Sequence, residues 1–109
     1  MTDKTMISIE LFDAAREFVA AVGQYAFTCH PADHISYQQT GAAFNSAALE
    51  TMAMLPYSAA TCDQWEAYDL AAGAFALHAN CVTALVLAAS INAVAETLLN
   101  ELMIEAVKV

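Results

Sequence analysis

The chain has 109 residues, with twelve acidic side chains against three basic ones and a formal net charge of −9. That length fits one domain, 1–109, and that charge excludes direct DNA or RNA binding of the ordinary kind, which needs cations for phosphates, and attachment to an anionic membrane surface. Hydrophobic residues make up 60% and charged residues 14%, with a mean hydropathy of +0.49, more apolar surface than so small a chain can cover by itself; the expectation is a homo-oligomer that buries the excess between subunits.

Residues 1–7 read as a short tail. They show no basic region followed by an apolar run, so no signal peptide is expected and the cytoplasm is the expected location. A first helix is predicted over about 8–28, with Ser8 as N-cap. Leu11, Ala15, Phe18 and Val22 form one apolar stripe on it and Phe12, Val19 and Ala26 a second, while Glu10, Asp13 and Glu17 line the other side. Pro31 forbids its continuation. A second helix is predicted over about 34–55, capped by Asp33 and stopped by Pro56. Phe44, Ala48, Met52 and Leu55 stand at helical spacing there, and Gly41, Ala42, Ala43 and Ala47 make a smooth surface for close approach. A third helix starts at about 62, where Thr61 and Gln64 match a capping box, and no proline interrupts it before 107. Unbroken, it would have about 45 residues and run roughly 65–70 Å; Asn80 and the segment 90–92 are the two places where it can break. The fold class expected is all-α, a three- or four-helix bundle with a long apolar C-terminal helix.

Residues 70–95 carry no charge. Leu70, Leu77, Ala84, Ile91 and Leu98 recur every seven residues, and Cys81 and Ala88 recur beside them, a seam of the coiled-coil kind. These seven residues are the predicted oligomer interface. The stretch is long enough to span a bilayer, but His78, Asn80, Thr83, Ser90 and Asn92 interrupt it and no Lys/Arg cluster flanks it, so no membrane span is expected. Cys29, Cys62 and Cys81 sit among apolar or small residues and are expected as reduced core residues.

Few residues suggest chemistry. Cys29, His30, Asp33 and His34 lie within six residues, yet their spacing matches no zinc motif; capping roles at the Pro31 elbow are expected, with no metal and no cofactor. His78 and Cys81 share a helical face, but no acid lies near in sequence to orient them for nucleophilic catalysis; a buried thiol and a core or interface histidine are expected. No phosphate loop or nucleophile elbow is present, so the chain reads as a non-enzyme. Tyr25, Tyr37, Tyr57, Tyr68 and Trp65 fall near helix ends, where they pack at bundle rims or stack on nucleobases.

The run Phe27, Thr28, Cys29, His30, Pro31, then Tyr37, then Pro56, Tyr57, Ser58, then Ala79, Asn80, Cys81 resembles the small helical anti-CBASS sponges of phages, which bind cyclic oligonucleotides. The resemblance covers about half the chain, residues 27–81. The family's Arg after the helix-opening Tyr is replaced here by Gln38, Gln39, Thr40 and Gly41, and its Arg-Glu after the turn by Ala59 and Ala60. What it implies is sequestration of a cyclic-nucleotide signal between subunits, in the cytoplasm of the infected host. Tyr37 would stack on a base, Ser58 or Thr61 would donate to phosphate, and His30 and Asn80 belong to the matched ligand-binding segments. Two other classes compete: an acidic inhibitor or adaptor of the anti-CRISPR kind, presenting Glu10, Asp13 and Glu17, or Asp63, Glu66 and Asp69, to a basic protein; and a structural homo-oligomeric assembly protein.

Overall fold

The computed structural model describes residues 4–107, apart from the Lys4 side chain, and places them in four α-helices with no strand among the described residues. They are α1 (Lys4–Thr28), α2 (Pro31–Met54), α3 (Ala59–Leu77) and α4 (Cys81–Val107). The protein is all-α.

Short side-chain devices set the helix ends. Helix α1 begins by Lys4, so residues 4–7 of the expected tail are helical and Ser8 lies within the helix rather than capping it; residues 1–3 lie outside the described residues. Ile7, 2% exposed, extends the apolar stripe by a turn and explains the earlier start. Cys29 then adopts φ 52, the left-handed region, and donates its N–H to the Tyr25 carbonyl at 2.8 Å, closing α1. The N-cap of α2 is His30, not Asp33: its Nδ1 accepts the Ala32 N–H at 3.1 Å. Pro31 occupies the first helical position, where its missing N–H leaves nothing unpaired. Asp33 sits in the first turn, favourable to the helix dipole, and accepts the Thr28 hydroxyl. Ser58, rather than Thr61, caps α3; its Oγ accepts the Thr61 N–H at 3.3 Å, so the helix starts three residues before 62.

The long C-terminal segment breaks at 78–80. Asn80 Oδ1 accepts the N–H groups of Val82 and Thr83 at 2.9 and 3.0 Å, and Thr83 Oγ1 accepts the Asn80 N–H at 3.1 Å. This reciprocal cap satisfies donors that a continuous helix would have bonded internally. Ser90 instead returns its hydroxyl to the Val86 carbonyl at 3.0 Å, and the helix runs through 90–92.

Helix α1 packs against α2 and α4, and α3 packs against α4. The core joins Leu11, Ala15, Phe18 and Val22 of α1, Phe44 and Ala48 of α2, Phe75 of α3, and Leu87, Ile91, Val94 and Leu98 of α4. Phe12, from the second stripe of α1, is 51% exposed. The break at 78–80 resets the phase of the heptad seam. Ala84, Ile91 and Leu98 are buried in the chain's own core and Ala88 is half-buried, whereas Leu70, Leu77 and Cys81 face outward. The seven residues therefore do not form one oligomer interface. All three cysteines are exposed, not core residues, because each lies at a helix end or on an outer face.

No Cα of α2 comes within 8 Å of a Cα of α3 among the described residues. The backbone measures 48 × 26 × 15 Å, wider than thick because these two helices stand apart.

Where helices do meet closely, glycine permits it. A Cβ on Gly41 would lie 3.1 Å from two ring carbons of Phe18, so that ring, only 3% exposed and packed against its neighbours, would have to shift. A Cβ on Gly23 would meet nothing within 4 Å. Gly23→Ala should therefore stabilise the fold by about 0.5–1 kcal/mol through helix propensity, whereas Gly41→Ala should destabilise it by about 1–3 kcal/mol through overpacking; urea unfolding of the two variants checks the opposite signs.

Candidate functional site: an aromatic groove between the second and third helices

Tyr37, Gly41 and Asn45 recur every four residues on α2 and so share one face. Tyr68, Ala72 and Ala76 do the same on α3, with Phe75 beside them, three residues after Ala72. Across the gap these faces enclose a groove of about 450 Å³, floored by Phe18 and Tyr25 of α1 and edged by His34, Gln38 and Ala42. No Lys or Arg lines it.

Aromatic side chains close much of the distance that the backbones leave. Tyr37 of α2 lies 5.2 Å from Phe75 of α3, ring centre to ring centre at 63°, and Phe44 lies 5.4 Å from Tyr68 at 78°, both edge-to-face. Tyr25 and Tyr37 stack at 5.7 Å and 16°, and Phe18 and Tyr37 at 5.9 Å and 28°. His34 meets the Tyr25 ring at 4.9 Å and 60°. Such arrangements suit the ring quadrupoles and add about 0.5–1.5 kcal/mol per pair beyond area burial. One hydrogen bond also crosses the gap: the Tyr68 hydroxyl donates to Asn45 Oδ1 at 2.6 Å.

Burial holds the Tyr68 phenol well above the ordinary tyrosine range, with Tyr37 and Asp69 adding to the effect. Burial also raises Tyr37, with Tyr25 adding to it. Both therefore stay neutral in ordinary buffers. The groove thus offers the half-buried rings of Tyr25 and Tyr37, a half-buried amide at Asn45 and an exposed one at Gln38, and no positive charge from Lys or Arg.

No protein-family model, curated protein or solved structure matches the chain. The reading of the site therefore rests on its own geometry.

Of the residues singled out as ligand-binding, only Tyr37 lines this groove. His30 is occupied as the cap of α2, and Asn80 as the cap of α4, where its Nδ2 also donates to the His78 carbonyl at 3.2 Å. Ser58 and Thr61 stand at the opposite end, beside Met52, Leu55 and Leu98. Phe75 stands seventeen positions after Ser58, roughly 25 Å along the helix, so Ser58, Thr61 and Tyr37 cannot grip one small ligand within a single chain. His78 is the exposed C-cap of α3, not a core histidine. The Cys29, His30, Asp33, His34 group is spent on capping and ring contacts, and no three metal-binding side chains gather among the described residues. Glu10, Asp13 and Glu17 are exposed along α1, with Glu50 of α2 beside them; Asp63, Glu66 and Asp69 are exposed on α3.

Asn45, Gln38 and Phe75 were not among the residues expected to bind a ligand. The usable signal was the four-residue row of Tyr37, Gly41 and Asn45, matched by Tyr68, Ala72 and Ala76: an aromatic, then a small residue, on two helices that face each other.

The raised phenols set a pH dependence. In the unfolded chain they would ionise near pH 10; in the fold they ionise higher. Their contribution to stability is therefore complete below about pH 10 and is lost as pH rises past it. The urea midpoint should fall as pH rises above about 10, and Tyr68→Phe should flatten that fall while lowering stability at neutral pH by about 1 kcal/mol through the lost bond to Asn45.

Proposed function

We propose that the protein is a non-catalytic binding protein that acts as a homo-oligomer and sequesters a nucleotide signal by its planar base, in the manner of the phage anti-defence sponges that residues 27–81 resemble. The observation that carries this reading is the aromatic groove between α2 and α3, with Tyr25 and Tyr37 stacked in parallel at 5.7 Å beside open space of about 450 Å³. That volume falls in the range of small-molecule sites. Aromatic faces hold nucleobases by stacking, and the Asn45 and Gln38 amides supply donors and acceptors for a base edge.

The absence of lysine and arginine around the groove and the net charge of −9 define what kind of recognition this is. The base carries the affinity and the phosphates are left in solvent. Binding of an anionic ligand then strengthens with added salt, because screening weakens repulsion by the protein's overall charge. A phosphate-gripping site would behave in the opposite way.

Isothermal titration with adenosine, guanosine and cyclic di- and trinucleotides tests the proposal. Heat is expected with at least one base, and the cyclic nucleotides should bind more tightly at higher salt. Tyr37→Ala should weaken binding by about 1–3 kcal/mol, roughly five- to hundredfold in Kd. Ser58→Ala, at the far end of α3, should leave the affinity unchanged. No heat from any of these compounds at micromolar protein overturns the reading.

A further inference from the structure

We infer that the outer face of the α3–α4 hairpin, beside the turn at 78–80, is the surface on which a second copy of this chain docks. Leu70 and Leu77 are 73% and 79% exposed, and Val82, Leu85 and Val86 are 70%, 73% and 53% exposed. Leu70 and Leu77, seven residues apart, share one face of α3. The three residues of α4 follow directly after the turn, which lays the two sets side by side. Their inward counterparts, Ala71, Phe75, Ala84 and Leu87, are buried in the core, so the outer set has no place inside this fold.

The inference rests on the homo-oligomeric part of the proposal above and adds where the contact lies. Three observations select a second copy as the occupant. The five side chains present on the order of 600 Å² of apolar surface, and two such faces come to about 1,200 Å², the lower limit of a specific, stable interface. The patch holds no charge, since none occurs between Asp69 and Glu96, so a copy can meet it without an unpaired buried ion. Its extent is also limited. Helix α4 is long and apolar enough to cross a membrane by length and composition, yet Glu96 and Asn100 on α4, and Asp63 and Glu66 on α3, are exposed toward the other end of the hairpin. A bilayer crossed by α4 would have to bury the Glu96 carboxylate; a protomer covers only the five side chains beside the turn and leaves Met103, Ile104 and Val107, exposed at the far end of α4, outside the contact. Because each copy is strongly anionic, the association strengthens with salt.

Sedimentation velocity of the full chain, with a Leu77→Glu/Leu85→Glu variant beside it, tests this. The wild type should sediment as a dimer or larger, and the variant as a monomer with unchanged helical circular dichroism, since both positions face solvent in the single chain. An Ile35→Glu/Leu49→Glu variant on α2 should stay associated. Gly73, where a Cβ meets nothing within 4 Å, gives a second readout: with the three cysteines changed to serine, Gly73→Cys should cross-link to itself under mild oxidation. An oligomer that survives Leu77→Glu/Leu85→Glu, with no Gly73→Cys cross-link, overturns the assignment of this face and leaves the homo-oligomer standing. A monomeric wild type overturns both, and co-flotation of that monomer with neutral phosphatidylcholine vesicles would make the face a membrane surface instead.

Discussion

The arrangement depends on the failure of α2 and α3 to meet. With three short links and four helices, the chain could close a square bundle, but the fourth edge is left without backbone contact. The residues at that edge explain why. Phe18, Tyr37, Phe44, Tyr68 and Phe75 are too large to let the helices approach, and they bury enough apolar area to hold the helices at their separation. The same rings act as spacer and as adhesive. Gly41 matters in this setting because it lets Phe18 reach the floor of the gap without displacing α2.

A second constraint is the ratio of apolar residues to available interior. Four helices of 25, 24, 19 and 27 residues cannot enclose 60% hydrophobic content. The remainder lies exposed on all four helices, and Leu70, Leu77, Val82, Leu85 and Val86 form the part of it beside the turn at 78–80. Helix α3 carries both part of that patch and one wall of the groove, two surfaces of different character. One is concave, aromatic and edged by amides, suited to a small planar molecule. The other is aliphatic and without charge, suited to a protein face.

Much of the fold could be read from local chemistry. The stripe of Leu11, Ala15, Phe18 and Val22 is buried as its spacing requires, and Pro31 and Pro56 bound the second helix because proline cannot continue a preceding helix. The cap residues were harder, since Ser8, Asp33 and Thr61 are as suitable by type as the residues used; the choice falls to where the chain bends, which side-chain propensity does not encode. The heptad seam misled for a physical reason. A seven-residue repeat keeps one face only along an unbroken helix, and the Asn80–Thr83 cap shifts the phase between Leu77 and Ala84. The groove was least legible. It pairs residues such as Asn45 and Tyr68, 23 positions apart, and no property of either helix alone marks the gap between them.

The central claim is that α2 and α3 are joined by side chains across an open groove and not by backbone packing. Nuclear Overhauser spectroscopy on isotope-labelled protein reads this directly. Cross-peaks are predicted between the rings of Tyr37 and Phe75 and between those of Phe44 and Tyr68, with none between the backbone protons of Gly41 or Ala42 and those of Ala72 or Ala76. Strong backbone cross-peaks between those two helices would mean a closed bundle with no groove, and would contradict the account.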